Sequence, residues 1–206
     1  GAGFIVHYAG ESTTGVLSAA LLEVAGAFSI NLTPSHNPLE YSGFKFNAAD
    51  GGPAAKVITD LITANAGRII ENNLLTSAPP RPELIKKSEA LASWQNFVRK
   101  GANYHKLDYD QIIDDFFNNE SLVVAIDSVH GASRIHIGPL FKDRACERLI
   151  TIRNNVDPTF GGIAPEPSPA NMNLVCEALA ARSEPLKLGM VIDPDGDRIR
   201  FTDGLE

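Results

Sequence analysis

Cysteine is scarce in this chain of 206 residues. Cys146 and Cys176 are its two cysteines, and neither belongs to a CxxC pair or to another spacing typical of metal ligands. The sequence therefore offers no disulfide framework and no cysteine-based zinc site. This composition is typical of a reducing compartment, and we predict a cytoplasmic protein.

Basic charge is also in deficit. The chain has 18 Lys and Arg residues against 25 Asp and Glu residues, for a net charge of −7. An acidic surface argues against nucleic acid or an anionic membrane as the main partner. We predict binding to neither, although a local basic pocket could still hold a phosphorylated small molecule.

Targeting signals and long apolar runs are absent from the sequence. Residues 1–8 lack the basic segment that opens a signal peptide. The most apolar stretch, 15–32, carries Ser18 and Glu23 and is a poor membrane span. The composition is that of an ordinary globular protein, 44% hydrophobic and 21% charged. Because the chain begins with Gly1 and ends just after an apparent strand and turn, we expect a fragment of a longer enzyme.

Strand and helix patterns alternate along the chain. Apolar runs typical of strands occupy 3–9, 27–33, 121–127, 148–153 and 186–193. Helical patterns occupy 12–26, 53–73, 82–100, 108–119, 131–144 and 170–182, and loops 76–82 and 154–171. This order predicts open α/β sheets with largely parallel strands. We place a domain boundary near residue 103, which gives domains 1–103 and 104–206.

The stretch "MVIDPDGDR" at 190–198 follows a predicted buried strand and contains Asp193, Asp195 and Asp197. In an extended segment these alternate side chains would share one face, about 6–7 Å apart. Carboxylates that close repel one another unless a cation lies among them. Oxygen ligands select Mg²⁺, Mn²⁺ or Ca²⁺ rather than Zn²⁺. We therefore predict a divalent metal site, with a solvated acidic turn as the simpler alternative.

Two known aspartate loops were compared with this one. An EF-hand needs Gly at its sixth position and Glu at its twelfth, and counting from Asp193 these positions hold Arg198 and Gly204. The DxDx(T/V) loop of haloacid dehalogenase-type phosphatases is matched by Asp193 and Asp195. This second class stays open as an alternative, with Asp193 as the nucleophile and Asp195 as the acid/base.

A second polar loop, "LTPSHNPLEYSGFK" at 32–45, follows the predicted strand 27–33. It lacks the G-x-S-x-G pattern of a hydrolase elbow, and the base beside Ser35 is only its sequence neighbour His36. A serine of this kind is better suited to carry a phosphate, whose oxygens could bridge a metal and a transferring phosphoryl group. His36 and Lys45 are then acid/base candidates. A plain turn is the alternative interpretation.

Ligands of open α/β sheets bind beyond the carboxyl ends of strands, which is where both loops are predicted to lie. Arg198 follows the three aspartates directly. If a metal uses their charge, its guanidinium is free to bind a phosphate; the alternative is an ion pair with a neighbouring Asp.

Together, "TPSHNP", the following "SGFKFNAADGGPA" and "DPDGDR" resemble the signatures of the α-D-phosphohexomutases, the phosphoglucomutase/phosphomannomutase superfamily. "DSVHGAS" and "DPTFGGIAPEPSPANM" are similar to the middle of the family's second domain. The resemblance implies two three-layer α/β/α domains with mixed, largely parallel sheets. It also implies that this chain covers most of the first and second of four domains, and lacks domains 3 and 4 of the parent chain.

The resemblance further implies an intramolecular phosphotransferase that interconverts hexose 1-phosphate and hexose 6-phosphate. Ser35 would carry the phosphate and pass through a hexose bisphosphate intermediate. The implied Mg²⁺ ligands are the phosphorylated Ser35 with Asp193, Asp195 and Asp197, and the other implied catalytic residues are His36, Lys45 and Arg198. The sugar stays open between glucose, mannose and glucosamine phosphates. A non-catalytic metal or sugar-phosphate binding module is a third interpretation.

Overall fold

The fold is known from a computed structural model that describes residues 3–37, 40–74, 79 and 81–204. Its strands are β1 (Val6–Tyr8), β2 (Phe28–Leu32), β3 (Phe44–Ala48), β4 (Ile85–Lys87), β5 (Leu122–Asp127), β6 (Leu149–Ile152), β7 (Leu186–Ile192) and β8 (Ile199–Thr202). Its α-helices are α1 (Thr14–Glu23), α2 (Lys56–Glu71), α3 (Ala90–His105), α4 (Tyr109–Asn118), α5 (Arg134–Leu140) and α6 (Pro169–Ala180). The mixed α/β fold predicted from the sequence is confirmed.

The C-terminal half is built on a four-stranded sheet in the order β6-β5-β7-β8. β6, β5 and β7 are parallel, and β8 runs antiparallel to β7. Side chains alternate across β5 because successive residues of a strand point to opposite faces. Val123 packs with α6, whereas Val124 packs with Phe116 of α4 and Ile137 of α5. Helices therefore cover both faces of this sheet. Full burial of one such aliphatic side chain stabilises the fold by about 1.5–3 kcal/mol.

The described part of the N-terminal half contains two separate two-stranded sheets. β1 pairs with β4 in parallel, and β2 pairs with β3 in antiparallel orientation. α1 packs against α3, where Val16, Ala20 and Ala90 are buried. The start of α1 lies close to the C-terminal half, where the Thr14 N–H donates to the Asp195 carbonyl at 2.8 Å.

Three details differ from the sequence-based expectations. The predicted helix 82–100 begins only at Ala90, because Ile85–Lys87 forms β4 and is held by pairing with β1. β3 was missed: its first two residues fell within the predicted loop 32–45, and its extended form depends on pairing with β2. β2 was expected to be buried, yet Leu32 is 82% exposed; among the described residues, β2 pairs with β3 alone and belongs to no larger sheet.

Three other expectations concern a loop, the domain boundary and membrane spans. Most of the predicted loop 76–82 lies outside the described residues. The domain boundary at residue 103 stays a prediction. Among the described residues, no helix is both long enough and apolar enough to span a bilayer.

Candidate functional site

The aspartate loop (residues 193–198) connects β7 to β8 as a tight hairpin. Ile192 pairs with Ile199, and the Asp193 N–H donates to the Arg198 carbonyl at 3.1 Å. Gly196 supplies a φ of 72°, which a glycine adopts without strain. The loop is therefore a turn and not the extended segment assumed from the sequence.

The turn still brings the three carboxylates together. One carboxylate oxygen from each of Asp193, Asp195 and Asp197 lies within 4.8 Å of the others. Asp193 and Asp195 are buried, and Asp197 is partly exposed. A cluster of carboxylate oxygens is the ligand set that Mg²⁺, Mn²⁺ or Ca²⁺ prefers, so these residues fit a divalent metal.

Hydrogen bonds orient the Asp193 carboxylate. Its Oδ1 accepts from the backbone N–H groups of Asp197, at 3.0 Å, and Arg198, at 3.1 Å. Burial, together with repulsion from Asp195 and Asp197, raises the pKa of Asp193 to about 6, although the two N–H groups act in the opposite direction. Because a raised pKa means that the ionised carboxylate is disfavoured here, a nearby cation would stabilise it. This is the electrostatic condition for a metal site.

The serine loop, residues 33–43, connects the antiparallel strands β2 and β3. Thr33 N–H donates to the Gly43 carbonyl at 3.0 Å and closes the base of the loop. Ser35 has a φ of 56°, in the left-handed region that side chains rarely adopt. Its backbone N–H donates to Thr33 Oγ1 at 2.8 Å. Pro38 of the predicted motif lies outside the described residues.

The two loops meet although Ser35 and Asp195 are 160 positions apart. Ser35 Oγ lies 3.4 Å from Asp193 Oδ2 and 3.4 Å from Asp195 Oδ1. The other carboxylate oxygen of each aspartate accepts from a different donor. Asp193 Oδ1 accepts from a backbone N–H group, and Asp195 Oδ2 accepts from Thr33 Oγ1. The sequence predicted this meeting because both loops follow strands, and the structure brings the residues together.

His36 lies between Ser35 and Arg198. Arg198 Nη1 donates to His36 Nε2 at 3.1 Å, and His36 Nδ1 is 3.3 Å from Ser35 Oγ. A guanidinium can only donate, so Nε2 accepts and the ring proton is assigned to Nδ1. Nδ1–H then donates to Ser35 Oγ, and the Ser35 hydroxyl is left to donate to a carboxylate.

Lys45, on β3, also contacts the aspartate loop. Its Nζ is 2.7 Å from Asp195 Oδ2 and also hydrogen-bonds to Asp197. Burial opposes the ammonium charge, but the hydrogen bonds and charges of the two aspartates outweigh it and raise the pKa of Lys45. Lys45 is therefore a cation in this arrangement.

The groups that support the aspartate loop escaped the sequence analysis. Thr14 N–H, at the start of α1, donates to the Asp195 carbonyl at 2.8 Å, and Ala132 N–H donates to the Pro194 carbonyl at 2.7 Å. A Cβ on Gly131 would lie 2.4 Å from Pro194 Cα, so only glycine fits there. The motif "DSVHGAS" was the one available signal, and it did not indicate what the loop touches.

A buried polar network stands behind the site. Asp127, at the end of β5, has a fully buried side chain and forms an ion pair with Arg153 at the end of β6. Arg153 Nε donates to both carboxylate oxygens at 2.9 Å, and Val129 N–H donates to Oδ1 at 2.8 Å. Arg153 Nη1 also donates to Asn171 Oδ1 of α6 at 2.9 Å. The network joins two strand ends and a helix.

Comparison with known proteins assigns both halves of the chain to known domain types. Residues 95–205 match the model of phosphoglucomutase/phosphomannomutase α/β/α domain II, and residues 1–73 match that of α/β/α domain I. The chain is 29% identical over 200 residues to a phosphomannomutase/phosphoglucomutase of Pseudomonas putida, covering 96% of this chain and 38% of that protein. It is 27% identical to a phosphoglucosamine mutase of Latilactobacillus sakei, covering 95% and 40%.

A solved structure shows the same fold. The Paramecium pp63/parafusin phosphoglucomutase, in its open form, superposes with a TM-score of 0.70 at 22% identity, covering 96% of this chain and 40% of that one. The chain belongs to the phosphoglucomutase/phosphomannomutase family, and it spans 38–40% of the length of the curated relatives named above.

Proposed function

We propose that this chain carries the phosphoserine loop and the metal loop of a Mg²⁺-dependent phosphohexomutase. The reaction is the reversible transfer of a phosphoryl group between the 1- and 6-positions of a hexose, through a hexose bisphosphate. The chain is proposed to contribute domains 1–103 and 104–206 of a cytoplasmic enzyme whose domains 3 and 4 complete the substrate site. The relatives' lengths support this, because the chain spans only 38–40% of them.

One observation carries the proposal. Ser35 Oγ lies 3.4 Å from one carboxylate oxygen of Asp193 and 3.4 Å from one of Asp195. A phosphate on Ser35 would place dianionic oxygens beside an acidic cluster, which is unfavourable unless a divalent cation lies between them. Ser35 in phosphorylated form, with Asp193, Asp195 and Asp197, would hold Mg²⁺, which when bound supplies charge neutralisation at the phosphoryl group.

The remaining side chains have distinct proposed roles in the transfer. The bond from phosphorus to Ser35 Oγ breaks as a bond from phosphorus to a sugar hydroxyl oxygen forms. The sugar hydroxyl proton leaves to a base, and Ser35 Oγ gains a proton. His36 and Lys45 are the proposed acid/base groups; because Lys45 is a cation in the described arrangement, it can accept the sugar proton only in its deprotonated form. The contact of His36 with Ser35 Oγ supports a role for His36 at the serine side.

Arg198 and Lys45 are proposed to compensate phosphate charge. Arg198 reaches His36 beside Ser35, and its side chain is 53% exposed, so a phosphate could displace the contact. A guanidinium binds phosphate with two parallel hydrogen bonds. The hexose itself stays open, because relatives are named for mannose, glucose and glucosamine phosphates.

The test is phosphorylation of Ser35. Because the substrate site is proposed to need domains 3 and 4, the full-length parent enzyme is incubated with Mg²⁺ and glucose 1,6-bisphosphate, and intact-protein mass spectrometry with peptide mapping is expected to show one phosphate on Ser35. Ser35→Ala abolishes the addition, whereas Ser42→Ala, an exposed serine of the same loop, does not. In the full-length parent enzyme, Ser35→Ala is expected to abolish mutase activity, and retained activity would show the proposal to be wrong.

The same experiment separates the alternatives. A dehalogenase-type phosphatase would carry an acid-labile acyl phosphate on Asp193, a result that the family match argues against. A non-catalytic binding module would bind the bisphosphate without acquiring a covalent phosphate on any residue.

A further inference from the structure

We propose that Thr33 is a positioning residue that orients the Asp195 carboxylate and the Ser35 backbone at the same time. Through this contact, the serine loop sets the affinity of the aspartate loop for a divalent cation. The inference rests on the proposed function, and it adds a residue to which neither the sequence analysis nor the family resemblance gave a role.

The hydroxyl of Thr33 is used on both sides. Thr33 Oγ1 donates to Asp195 Oδ2 at 3.0 Å and accepts from the Ser35 N–H at 2.8 Å. A hydroxyl has one donor hydrogen and two acceptor lone pairs, so both bonds form together. This one atom therefore joins the two loops of the site.

The donation to Asp195 decides which carboxylate oxygen is available to a metal. Thr33 and Lys45 both bind Oδ2, at 3.0 Å and 2.7 Å. This leaves Oδ1 directed to Ser35 Oγ at 3.4 Å. The same division occurs in Asp193, where backbone N–H groups hold Oδ1 and Oδ2 faces Ser35. Without Thr33, the long and flexible Lys45 side chain would be the remaining side-chain donor to Oδ2 among the described residues.

The acceptance from Ser35 acts on the phosphate carrier. Ser35 holds a φ of 56°, a conformation that costs free energy unless the surroundings enforce it. Thr33 stabilises it by accepting a hydrogen bond at its hydroxyl from the backbone N–H two residues on, a common way for Ser and Thr to fix a turn. A chain lacking this hydroxyl is expected to lose order at Asp195 and at Ser35 together.

The experiment measures metal affinity in this chain, without requiring turnover. Thr33→Val removes the hydroxyl and keeps the shape, and Thr33→Ser keeps the hydroxyl. Mg²⁺ and Mn²⁺ binding is followed by titration calorimetry, and the Tm is measured without metal. Loss of a group that orients a metal ligand typically weakens metal binding by about 10–100-fold. We expect that loss for Thr33→Val, rescue within a few-fold for Thr33→Ser, and no effect for Thr63→Val on the exposed face of α2.

Each outcome decides the question. Thr33→Val with wild-type metal affinity overturns the inference, as does a lowered Tm with unchanged affinity, which would indicate a structural role alone. If Thr33→Val does not fold, Thr33→Ala removes the same hydroxyl without placing a methyl group against the Asp195 carboxylate, and the same comparison applies. If the wild-type chain binds neither cation, the proposed metal site itself is wrong, and this inference is wrong with it.

Discussion

Replacement of Arg153 by methionine tests the buried network behind the site. Arg153→Met keeps an unbranched chain of similar length and removes the charge. It leaves the Asp127 carboxylate fully buried with the Val129 N–H as its described remaining donor. An ionised group without its counter-charge is costly in a site that water does not reach.

The magnitude follows from the burial of both partners. The side chains of Asp127 and Arg153 are 0% and 12% exposed, so the pair is of the buried kind, for which removal of one partner costs about 3–5 kcal/mol. In a chain of this size each kcal/mol lowers the Tm by about 2–4 °C. We therefore expect a Tm lower by roughly 6–20 °C, measured by circular dichroism and checked by urea unfolding.

Two controls accompany this prediction. Arg81→Met, in an exposed ion pair with Glu83, should change the free energy of unfolding by no more than about 0.5 kcal/mol. Adding Asp127→Asn to Arg153→Met removes the unpaired charge and should restore part of the loss. A loss under about 1 kcal/mol for Arg153→Met, or no recovery in the double variant, would refute the argument from burial.

Three further perturbations have defined outcomes. Burial lowers the pKa of His136, although Glu11 acts in the opposite direction. On acidification, His136 is therefore protonated at a higher pH in the unfolded chain than in the folded chain. The contribution of His136 to stability should fall as the pH drops below about 6.5, so between about pH 7.5 and 5.5 the Tm of wild type should fall more, or rise less, than the Tm of His136→Gln. Gly189→Ala would place a Cβ 2.3 Å from Val175 Cγ1 and should cost about 1–3 kcal/mol. Arg148→Met removes hydrogen bonds to four carbonyls around the end of α4 and should cost about 1.5–3 kcal/mol, both measured by urea unfolding.

Specific results would contradict these expectations. Equal pH dependence of the Tm in wild type and His136→Gln would show that His136 does not titrate in the unfolding reaction. A Gly189→Ala chain as stable as wild type would mean that α6 can move away from β7. Unchanged stability in Arg148→Met would mean that water replaces the guanidinium without cost.

Local pattern predicted the elements of the C-terminal half well. β5, α6 and β7 are apolar segments whose periodicity is set by burial against one another, so their sequences alone carry the signal. β3 and β4 were missed for a different reason. Both are short, and their extended form depends on pairing with β2 and β1, which is a tertiary contact that local pattern does not contain.

The site was predicted to the level of its residues but not of its contacts. Ser35 and the three aspartates could be identified because their motifs follow strands. Support from Thr33, Thr14 and Gly131 could not be predicted, since each contributes through an approach between distant segments. The sequence also predicted that the three aspartates converge, but for the wrong reason. They converge through a turn and not through the alternation of side chains along an extended strand.

The hairpin that carries the aspartates has a consequence for natural variation at this position. Cross-strand pairing holds both ends of the six-residue turn. The register of β7 and β8 therefore fixes the number of residues in the turn. One inserted or deleted residue would slip β8 by one position and turn every side chain of that strand to the opposite face. Substitution can therefore alter the chemistry of this turn, whereas a change in its length would first disrupt the pairing of the edge strand β8 with β7.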